Sequence, residues 1–304
     1  MDQRHLLMHQ AMLGDRPRLD SYDRALAAAI EPGATVVDIG AGTLALTALA
    51  LRHGAGHVYA IEADPQLADV AAAVARASGW AGRVTVVHGD ARVVRLPRPA
   101  DVVVSEMMGN LGPEEDMVRV LAGAARRMLR PGGRVVPERL VSYLVPAEIG
   151  DEGWGIWRDG FLDMRLDVVQ EMVQPEAHLH FFTTPPTLLS EPAVLIDSAD
   201  PAQTAAGNAR RRPRQPQRLP PITISRPGRL QAVLGYFVAT LAPGVTLSNL
   251  PSYPGCNWTV WVWPLRHAEV AAGDEIRIEV CRPEGERIAT DWRLDCQLLR
   301  KERV

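Results

Sequence analysis

Hydrophobic and polar positions in the first 137 residues follow two alternating patterns. Short apolar runs rich in β-branched residues predict strands, and the stretches between them carry apolar residues at helical spacing and predict helices. The predicted strands cover residues 35–39, 58–62, 84–88, 101–105 and 134–136, and the predicted helices cover 44–53, 65–78 and 114–129. Strands and helices in repeated order are typical of an α/β fold, with a parallel sheet covered by helices on both faces.

The pattern changes after about residue 138. Apolar runs become short and are separated by Pro and Gly, which is typical of antiparallel strands in a barrel or a sandwich. These runs cover residues 141–145, 231–241, 258–263 and 275–281. We therefore divide the chain into two units, residues 1–137 and residues 138–304.

One segment of the second unit, residues 154–173, has helical rather than β spacing. Its apolar residues are Trp157, Phe161, Leu162, Leu166, Val169 and Met172. This spacing predicts a helix. A helix inside a β unit can serve as a docking or dimerisation element, or it can pack into the core, and spacing alone does not decide between these.

The composition is that of a folded protein without a strong overall charge. Hydrophobic residues make up 47% of the 304 residues, enough for one large domain or for two with their own cores. The net charge of −3 provides no basic field to attract nucleic acid or an anionic membrane. Five arginines stand between residues 210 and 218 without interleaved aromatic residues, so we expect a solvated loop there rather than a nucleic-acid site.

The first residues and the cysteines favour a cytoplasmic protein. The first ten residues contain no apolar signal-peptide region, and no apolar run reaches the 18 residues that suggest a membrane span. The spacings of Cys256, Cys281 and Cys296 are typical of neither a zinc site nor a disulfide framework. We expect reduced thiols in a reducing compartment and no bound metal.

A glycine-rich turn follows the first predicted strand. In VVDIGAGT, residues 36–43, Gly40 and Gly42 allow a tight turn and a close approach of the backbone to a ligand. Ala45 takes the third position of the dinucleotide fingerprint, which the looser form of the fingerprint accepts. The turn indicates a nucleotide-like ligand, either NAD or S-adenosylmethionine. The sequence has no Walker-type Gly-Lys-Ser/Thr motif, which disfavours ATP and GTP.

Acidic residues stand at the ends of successive predicted strands. Asp38 lies near the end of the first strand, Glu62 ends the second, and Asp90 and Ala91 follow the third. A carboxylate at the place of Glu62 can accept hydrogen bonds from ribose hydroxyls, and Asp90 or a neighbouring backbone group can bind an adenine amino group. Since the carboxyl ends of parallel strands meet at one edge, these residues predict a nucleoside pocket.

Two glutamates flank a loop after the fourth predicted strand. Glu106 follows the strand and Glu115 comes nine residues later, in SEMMGNLGPEEDM, residues 105–117. Two such carboxylates can hold a planar guanidinium group by bidentate hydrogen bonds, and they can also bind a metal or transfer protons. In the alternative interpretation, Glu106 is an ordinary strand-end acid, and Glu114 and Glu115 stabilise a helix N-terminus.

These motifs together resemble those of the protein arginine methyltransferase family, and the resemblance covers nearly the whole chain. The segment SEMMGNLGPEEDM is similar to the family's double-Glu loop, VVDIGAGT to its first cofactor motif, and AIEAD to its ribose-binding strand end. The resemblance implies a Rossmann-like class I methyltransferase domain, followed by an antiparallel β-barrel domain with a helical dimerisation arm at about residues 152–173. It also implies S-adenosylmethionine as cofactor, N-methylation of a guanidinium group and a homodimer.

The N-terminal segment resembles the helix that folds over the cofactor in this family. Its sequence is HQAMLGDRPR, residues 9–18. The resemblance implies that His9 and Met12 lie at the cofactor, with Met12 also lining the acceptor channel. It further implies that Arg18 pairs with the methionine carboxylate of the cofactor, and that Asp15 is one of the catalytic residues.

The remaining parts of the resemblance concern the acceptor side and the hinge. Glu106 and Glu115 would hold the acceptor guanidinium, with Glu106 also contacting the cofactor. The segment RVVPERL, residues 134–140, is similar to the hinge between the two domains and implies a cis peptide bond at Pro137.

Three departures from the family pattern bear on the acceptor. CNWTVW, residues 256–261, stands at the family's Thr-His-Trp loop, so Asn257 replaces a histidine that would pair with Asp15, and asparagine cannot carry its charge. Met107 stands where the double-Glu loop often has tryptophan, and the aromatic pair before the N-terminal helix is missing. These departures keep two alternatives open: a methyltransferase for a small-molecule or natural-product acceptor, and a non-catalytic scaffold. The sequence does not discriminate between a protein, a peptide and free arginine as acceptor.

Overall fold

A computed structural model describes residues 3–159, 161–173, 176–199, 216–250, 258–282 and 292–301. The helices are α1 (Gln3–Gly14), α2 (Arg16–Ala29), α3 (Ala45–Arg52), α4 (Pro65–Ala77), α5 (Met117–Met128), α6 (Ile156–Asp159) and α7 (Val169–Met172), with 3₁₀ turns at Pro113–Glu115 and Leu166–Val168. The strands are β1 (Thr35–Ile39), β2 (His57–Glu62), β3 (Val84–His88), β4 (Ala100–Ser105), β5 (Leu129–Val136), β6 (Arg139–Glu148), β7 (His178–His180), β8 (Thr187–Leu188), β9 (Ala193–Asp197), β10 (Gln217–Arg218), β11 (Ile222–Thr223), β12 (Gly228–Ala242), β13 (Val245–Ser248), β14 (Val260–Val270), β15 (Glu275–Cys281) and β16 (Arg293–Leu299).

The first half of the chain forms a parallel sheet of five strands in the order β3-β2-β1-β4-β5. The predicted Rossmann-like fold is thereby confirmed. The strand order reverses at β1, so a crevice opens between the carboxyl ends of β1 and β4. Ile39 of β1 is in register with Ser105 of β4. The residues that follow them, Gly40 and Glu106, therefore leave the sheet side by side.

The sequence explains these elements locally. Every residue of β1 is buried, as expected for a central strand that helices cover on both faces. Helix α4 begins at Pro65, a residue that suits the first turn because it lacks a backbone N–H. The Asp64 side chain caps this helix by accepting hydrogen bonds from the backbone N–H groups of Gln66 and Leu67 at 2.8 and 2.9 Å.

The second half of the described chain is antiparallel and barrel-like. A seven-stranded sheet runs in the order β7-β14-β12-β6-β8, with β13 joined to β12 and β9 joined to β6. A four-stranded sheet has the order β10-β15-β11, with β16 beside β15. The longest strand is β12, with 15 residues, and it pairs with both β6 and β14. This antiparallel architecture confirms the second part of the predicted fold.

One hydrophobic core extends from the parallel sheet into the antiparallel part. Phe237 and Leu247, from β12 and β13, belong to the same buried cluster as Tyr22 of α2 and Val37 of β1. Helix α2 therefore lies between the parallel sheet and the β12–β13 hairpin.

The change from parallel to antiparallel pairing falls between β5 and β6. The Val136–Pro137 peptide bond in this connection is cis, as the family resemblance implies. The division into units 1–137 and 138–304 stays a prediction.

The predicted helix over residues 114–129 is wrong at its start. Pro113–Glu115 form a 3₁₀ turn, and Asp116 has a φ of +62°. A left-handed backbone conformation interrupts an α-helix, so α5 begins only at Met117.

The predicted helical arm is also wrong in its continuity. Residues 154–173 contain the short helices α6 and α7 and a 3₁₀ turn rather than one helix. Leu162 has a φ of +53°, and the backbones of Phe161 and Met164 exchange hydrogen bonds at 3.2 and 2.9 Å. These local contacts replace helical hydrogen bonds in the middle of the segment.

No helix in the described part of the chain is long and apolar enough to cross a membrane. Cys281 and Cys296 are free thiols, and Cys256 lies outside the described residues. The described arginine of the 210–218 cluster, Arg218, pairs with Glu279 (Nε to Oε2, 2.8 Å). The other four arginines of this cluster lie outside the described residues.

Gly235 of β12 allows two large side chains to approach the strand. A Cβ at this position would lie 2.5 Å from Cζ3 of Trp263 and 3.0 Å from Cδ1 of Leu111. We expect Gly235→Ala to lower the free energy of unfolding by about 1–3 kcal/mol, because overpacking a core strains it. Urea denaturation measures this change. The control is Gly82→Ala, where a Cβ would meet nothing within 4 Å, and equal effects of the two substitutions would contradict the prediction.

Candidate active site

The glycine-rich turn joins β1 to α3 at the carboxyl edge of the sheet. Gly40 has a φ of +70° and Gly42 a φ of +49°, a region that favours glycine. A Cβ on Gly40 would lie 3.1 Å from Cγ of Met107, and one on Gly42 would lie 2.8 Å from Cε1 of His9. The structure therefore brings His9 of α1 and Met107 of the double-Glu loop directly onto this turn.

Glu62 is held in a fixed orientation at the end of β2. Its Oε2 accepts a hydrogen bond from the backbone N–H of Gly42 at 2.9 Å, and its Oε1 accepts one from Asp64 N–H at 2.9 Å. The side chain is buried. The carboxylate that the sequence assigns to ribose binding thus lies beside the glycine-rich turn.

Asp38 is a buried carboxyl group under the same turn. Its Oδ2 accepts a hydrogen bond from Thr47 Oγ1 at 2.7 Å, while its Oδ1 has no hydrogen-bond partner among the described residues. Burial raises the pKa of Asp38 to about 6, although the bond from Thr47 works in the opposite direction. A cationic ligand group beside Oδ1 would stabilise the charged form.

Asp90 and Ala91 lie beyond β3 with different surroundings. Arg92 donates hydrogen bonds to both carboxylate oxygens of Asp90, and these bonds lower the pKa of Asp90. The pair is solvent-exposed, where ion pairs contribute little to stability. Ala91 is buried, and its carbonyl accepts a hydrogen bond from Arg127.

Asp15 divides the predicted N-terminal helix into α1 and α2. It is fully buried and caps α2, since its Oδ1 accepts a hydrogen bond from the backbone N–H of Arg18 at 3.2 Å. Met12, in the last turn of α1, is half-buried, and its carbonyl accepts a hydrogen bond from Asp15 N–H at 3.3 Å. The break places Arg18 on the first turn of a new helix rather than at the end of the old one.

Arg18 and Glu106 form a buried ion pair at the centre of the site. Nη1 of Arg18 lies 2.9 Å from Oε2 of Glu106, and the two side chains are only 9% and 11% exposed. The guanidinium carbon also lies 5.1 Å from the ring centroid of Trp258, within the range of a cation–π interaction. Three separate parts of the chain meet at this pair: α2, the residue after β4, and Trp258, two residues before β14.

Two hydrogen bonds fix the backbone from which Glu106 projects. Tyr22 donates its hydroxyl to the carbonyl of Ser105 at 2.9 Å, and Ser105 Oγ donates to the carbonyl of Ile39 at 2.8 Å. Burial raises the pKa of Tyr22 well above its usual value, and the charge of Glu106 raises it further. Glu106 Oε1 in turn accepts a hydrogen bond from Met108 N–H at 3.0 Å. These contacts therefore fix the position of Glu106, the first of the two glutamates predicted to hold a guanidinium group.

The loop between the two glutamates is a tight hairpin seated in the antiparallel part. Gly109 and Gly112 exchange backbone hydrogen bonds at 3.0 and 3.1 Å. At the tip, Asn110 Oδ1 accepts hydrogen bonds from N–H and Oγ1 of Thr259 at 2.8 and 2.9 Å. The Asn110 carbonyl accepts a third bond from Nδ2 of Asn249 at 2.8 Å. The position of the hairpin thus depends on residues from the opposite end of the sequence.

Two predicted catalytic residues are not fully visible. The backbone of Glu115 ends the 3₁₀ turn Pro113–Glu115, but its side chain lies outside the described part of the structure. Asn257 lies wholly outside the described residues.

Several residues that shape the site were not identified from the sequence. Tyr22 follows Arg18 by four residues on α2, so helical spacing could have placed it on the same face. Asn249 and Thr259 carry no local signal, because their partner Asn110 is more than 130 residues away in sequence. Trp258 falls within the segment CNWTVW, but no pattern predicts its contact with Arg18.

The residues at this edge of the sheet fit S-adenosylmethionine. The buried Oδ1 of Asp38 suits a cationic group, the fixed carboxylate of Glu62 suits ribose hydroxyls, and Arg18 suits a carboxylate. The glycine-rich turn allows close approach of a ligand. Among the described residues, no group of three or more His, Cys, Asp or Glu side chains could hold a metal ion.

Asp38 gives the free energy of unfolding a pH dependence of definite sign. Burial raises its folded-state pKa from 3.8 to about 6, so the folded protein holds this proton more tightly than the unfolded chain does. The stability that Asp38 contributes is full below about pH 4 and is lost as the pH rises through about 6. Relative to Asp38→Asn, we expect the wild-type protein to lose up to about 3 kcal/mol across this window, measured by urea denaturation at each pH.

The same measurement with saturating S-adenosylhomocysteine tests the placement of Asp38. A ligand amino group near the carboxylate favours its charged form, so we expect the difference between the two proteins to depend less on pH. A difference that stays constant from pH 4 to pH 7 without ligand would contradict the raised pKa.

The chain is similar to known methyltransferases. Residues 36–133 match a family described as a methyltransferase domain. The chain is 31% identical over 284 residues to the arginine N(omega)-methyltransferase of Streptomyces achromogenes subsp. streptozoticus, covering 90% of this chain and 75% of that protein. It is 33% identical over 178 residues to protein arginine N-methyltransferase 1 of Oryza sativa subsp. indica, covering 56% of this chain and about half (46%) of that protein.

Solved structures show the same architecture. Protein arginine methyltransferase 10 of Arabidopsis thaliana has a TM-score of 0.75 at 21% identity, over 97% of this chain and 93% of that one. The Trypanosoma brucei PRMT1 enzyme–prozyme heterotetrameric complex with AdoHcy has a TM-score of 0.71 at 18% identity, over 96% and 98%. At these identities the likeness concerns the fold. The match to the Streptomyces enzyme, together with the methyltransferase-domain match, shows that the chain belongs to the arginine N-methyltransferase family and is an S-adenosylmethionine-dependent methyltransferase.

Proposed function

We propose that this enzyme methylates the guanidinium group of free arginine. The relative that matches 90% of this chain is named for arginine, whereas the rice enzyme named for protein arginine matches 56%. Met107 stands where the family often has tryptophan, and the smaller side chain also favours a small acceptor over a peptide.

The assignment of a guanidinium acceptor rests on the burial and the contacts of Glu106. This carboxylate is nearly buried, is oriented by Met108 N–H, and already pairs with the guanidinium group of Arg18. A carboxylate offers about four lone-pair positions. Glu106 can therefore bind an acceptor guanidinium while it keeps its contact with Arg18, and Glu115 would supply the second carboxylate.

The protein residues act mainly by positioning. S-adenosylmethionine, when bound, supplies a methyl group on a sulfonium that is already activated for transfer. Glu62 would hold its ribose, Asp90 and Ala91 its adenine, and Arg18 its carboxylate. Asp38 would face its amino group, and His9 and Met12 would cover it from α1.

Glu106 and Glu115 would orient one acceptor nitrogen towards the methyl group, which replaces a chance encounter by a fixed geometry. Their negative charges also offset the positive charge of the guanidinium group during transfer. This effect is strong because Glu106 is 11% exposed, and charges interact more strongly where water is excluded.

Isotopically labelled S-adenosylmethionine offered with two acceptor pools tests this function. One pool contains free arginine and small guanidines, and the other contains arginine peptides and protein lysate. We expect label in free methylarginine. Glu106→Gln should lower kcat by roughly 10²–10³-fold, because one preorganised charge is lost.

The matched control is Glu138→Gln, which changes an exposed glutamate outside the site. Label confined to protein would contradict the free-arginine acceptor. Label in neither pool would contradict arginine methylation altogether. A Glu106→Gln variant with wild-type activity would contradict the role of Glu106 in holding the acceptor guanidinium.

We also propose that two copies of the chain associate through the arm, residues 152–173. Exposed apolar side chains cluster there, with Leu162 89% and Met172 81% exposed. Several exposed apolar side chains within one short segment are typical of protein interfaces. The base of the arm is rigid, because Glu152 accepts hydrogen bonds from Thr183, Thr184 and His180. Burial works to raise the pKa of Glu152, but these bonds lower it to about 2.

A double substitution on the arm tests the dimer. We expect the wild-type chain, of 33.2 kDa, to sediment at about twice this mass, and the Leu162→Asp/Met172→Asp variant to sediment as a monomer. Burying two carboxylates in an apolar interface opposes association. Val194→Asp changes an exposed apolar residue on β9 and serves as control. A monomeric wild-type chain would contradict the proposal.

A further inference from the structure

Both carboxylate oxygens of the half-buried Glu114 accept hydrogen bonds from the protein. Its Oε1 accepts a hydrogen bond from Nε1 of Trp261 at 2.9 Å, and its Oε2 accepts one from Leu111 N–H at 2.7 Å. A Cβ on Gly109 would lie 2.0 Å from the same Oε2, so the carboxylate lies tightly against the hairpin backbone. A glutamate that merely decorated a helix N-terminus would not have these contacts.

Trp261 is a rigid donor. It is 2% exposed, and its backbone lies in β14 between Gly235 of β12 and Leu179 of β7. The ring packs against that of Trp263, with centroids 5.8 Å apart. The indole N–H therefore presents a fixed point to which the Glu114 carboxylate is tied.

Among the described residues, further hydrogen bonds hold the loop at positions before Glu114. Trp258 Nε1 donates to the carbonyl of Met108 at 2.9 Å, and Ser142 Oγ donates to the carbonyl of Leu111 at 2.6 Å. Glu114 comes after these points, inside the 3₁₀ turn that ends at Glu115. The Glu114 side chain thus connects the 3₁₀ turn to the antiparallel sheet. The same turn carries Glu115, the second glutamate predicted to hold the acceptor guanidinium.

We propose that Glu114 is a positioning residue for the acceptor site, and that its bond with Trp261 sets the position of the turn bearing Glu115. This inference rests on the proposed guanidinium function. It also assigns different roles to two adjacent glutamates. Glu114 holds the loop, which leaves Glu115 for the acceptor.

Two tryptophan substitutions in the same strand separate this role from a general loss of packing. Trp261→Phe removes the indole N–H that bonds Glu114. Trp263→Phe removes an indole N–H that bonds the carbonyl of Trp292 at 3.1 Å, far from the loop in sequence. Both side chains are buried, so we expect a similar decrease in Tm for the two variants.

Of the two tryptophan variants, only Trp261→Phe should impair turnover on free arginine. We expect its kcat to fall about tenfold and its KM for arginine to rise, with the Kd for S-adenosylmethionine unchanged. Trp263→Phe should keep kcat within about twofold of the wild-type value. Glu114→Gln should resemble Trp261→Phe. The glutamine amide has only one oxygen, so it cannot accept hydrogen bonds from both Trp261 Nε1 and Leu111 N–H, and its own N–H groups would face one of these two donors. The double variant Glu114→Gln/Trp261→Phe should be no worse than either single variant, since both remove one interaction.

The outcomes separate this inference from the proposed function. An active wild-type enzyme with normal kcat in Trp261→Phe would overturn the role of Glu114 alone. Equal losses in Trp261→Phe and Trp263→Phe, or losses that multiply in the double variant, would overturn it as well. A wild-type enzyme inactive on both acceptor pools would contradict the proposed function and with it this inference.

Discussion

The buried ion pair between Arg18 and Glu106 is the interaction on which the rest of the site depends. Removing water from two charges is unfavourable, and it is offset only when the pair has close geometry and further hydrogen bonds. Here the distance is 2.9 Å, Met108 N–H bonds the carboxylate, and the Trp258 ring lies against the guanidinium. Loss of either partner leaves a buried charge, which costs about 3–5 kcal/mol. Helix α2 is therefore held at the carboxyl edge of the sheet.

The described antiparallel part of the chain holds in place the loop that follows Glu106. Asn249 is fully buried and binds Asn110, Thr259 and Phe237 through its side-chain amide. Such a satisfied amide holds its partners in one arrangement, because any displacement would leave buried polar atoms unpaired. Glu106 directly follows β4 of the parallel sheet. The conformation of the loop after Glu106, however, depends on hydrogen bonds from residues of the antiparallel part between β12 and β14.

The parallel sheet and the acidic strand ends could be predicted from sequence because their signals are local. The apolar run over residues 35–39 and the nine-residue spacing of Glu106 and Glu115 need no knowledge of the rest of the chain. The interruption at Asp15 and the short helices of the arm could not be predicted. In the arm, a left-handed Leu162 interrupts a good helical pattern, and spacing does not report backbone φ. The bond between Glu114 and Trp261 joins residues 147 positions apart, and single-sequence patterns do not contain such pairings.

The hydrophobic core that joins α2 to the β12–β13 hairpin restricts how this protein can diversify. Phe237 and Leu247 fill the same interior as Tyr22, which lies beneath Glu106. The antiparallel part cannot be exchanged for another module without opening the interior under the ion pair. Substitution of side chains around the hairpin at residues 109–112 leaves this shared core intact, whereas exchange of the antiparallel part does not. Exchange of the whole antiparallel part would destabilise the fold, because it would remove side chains from the core that both parts share.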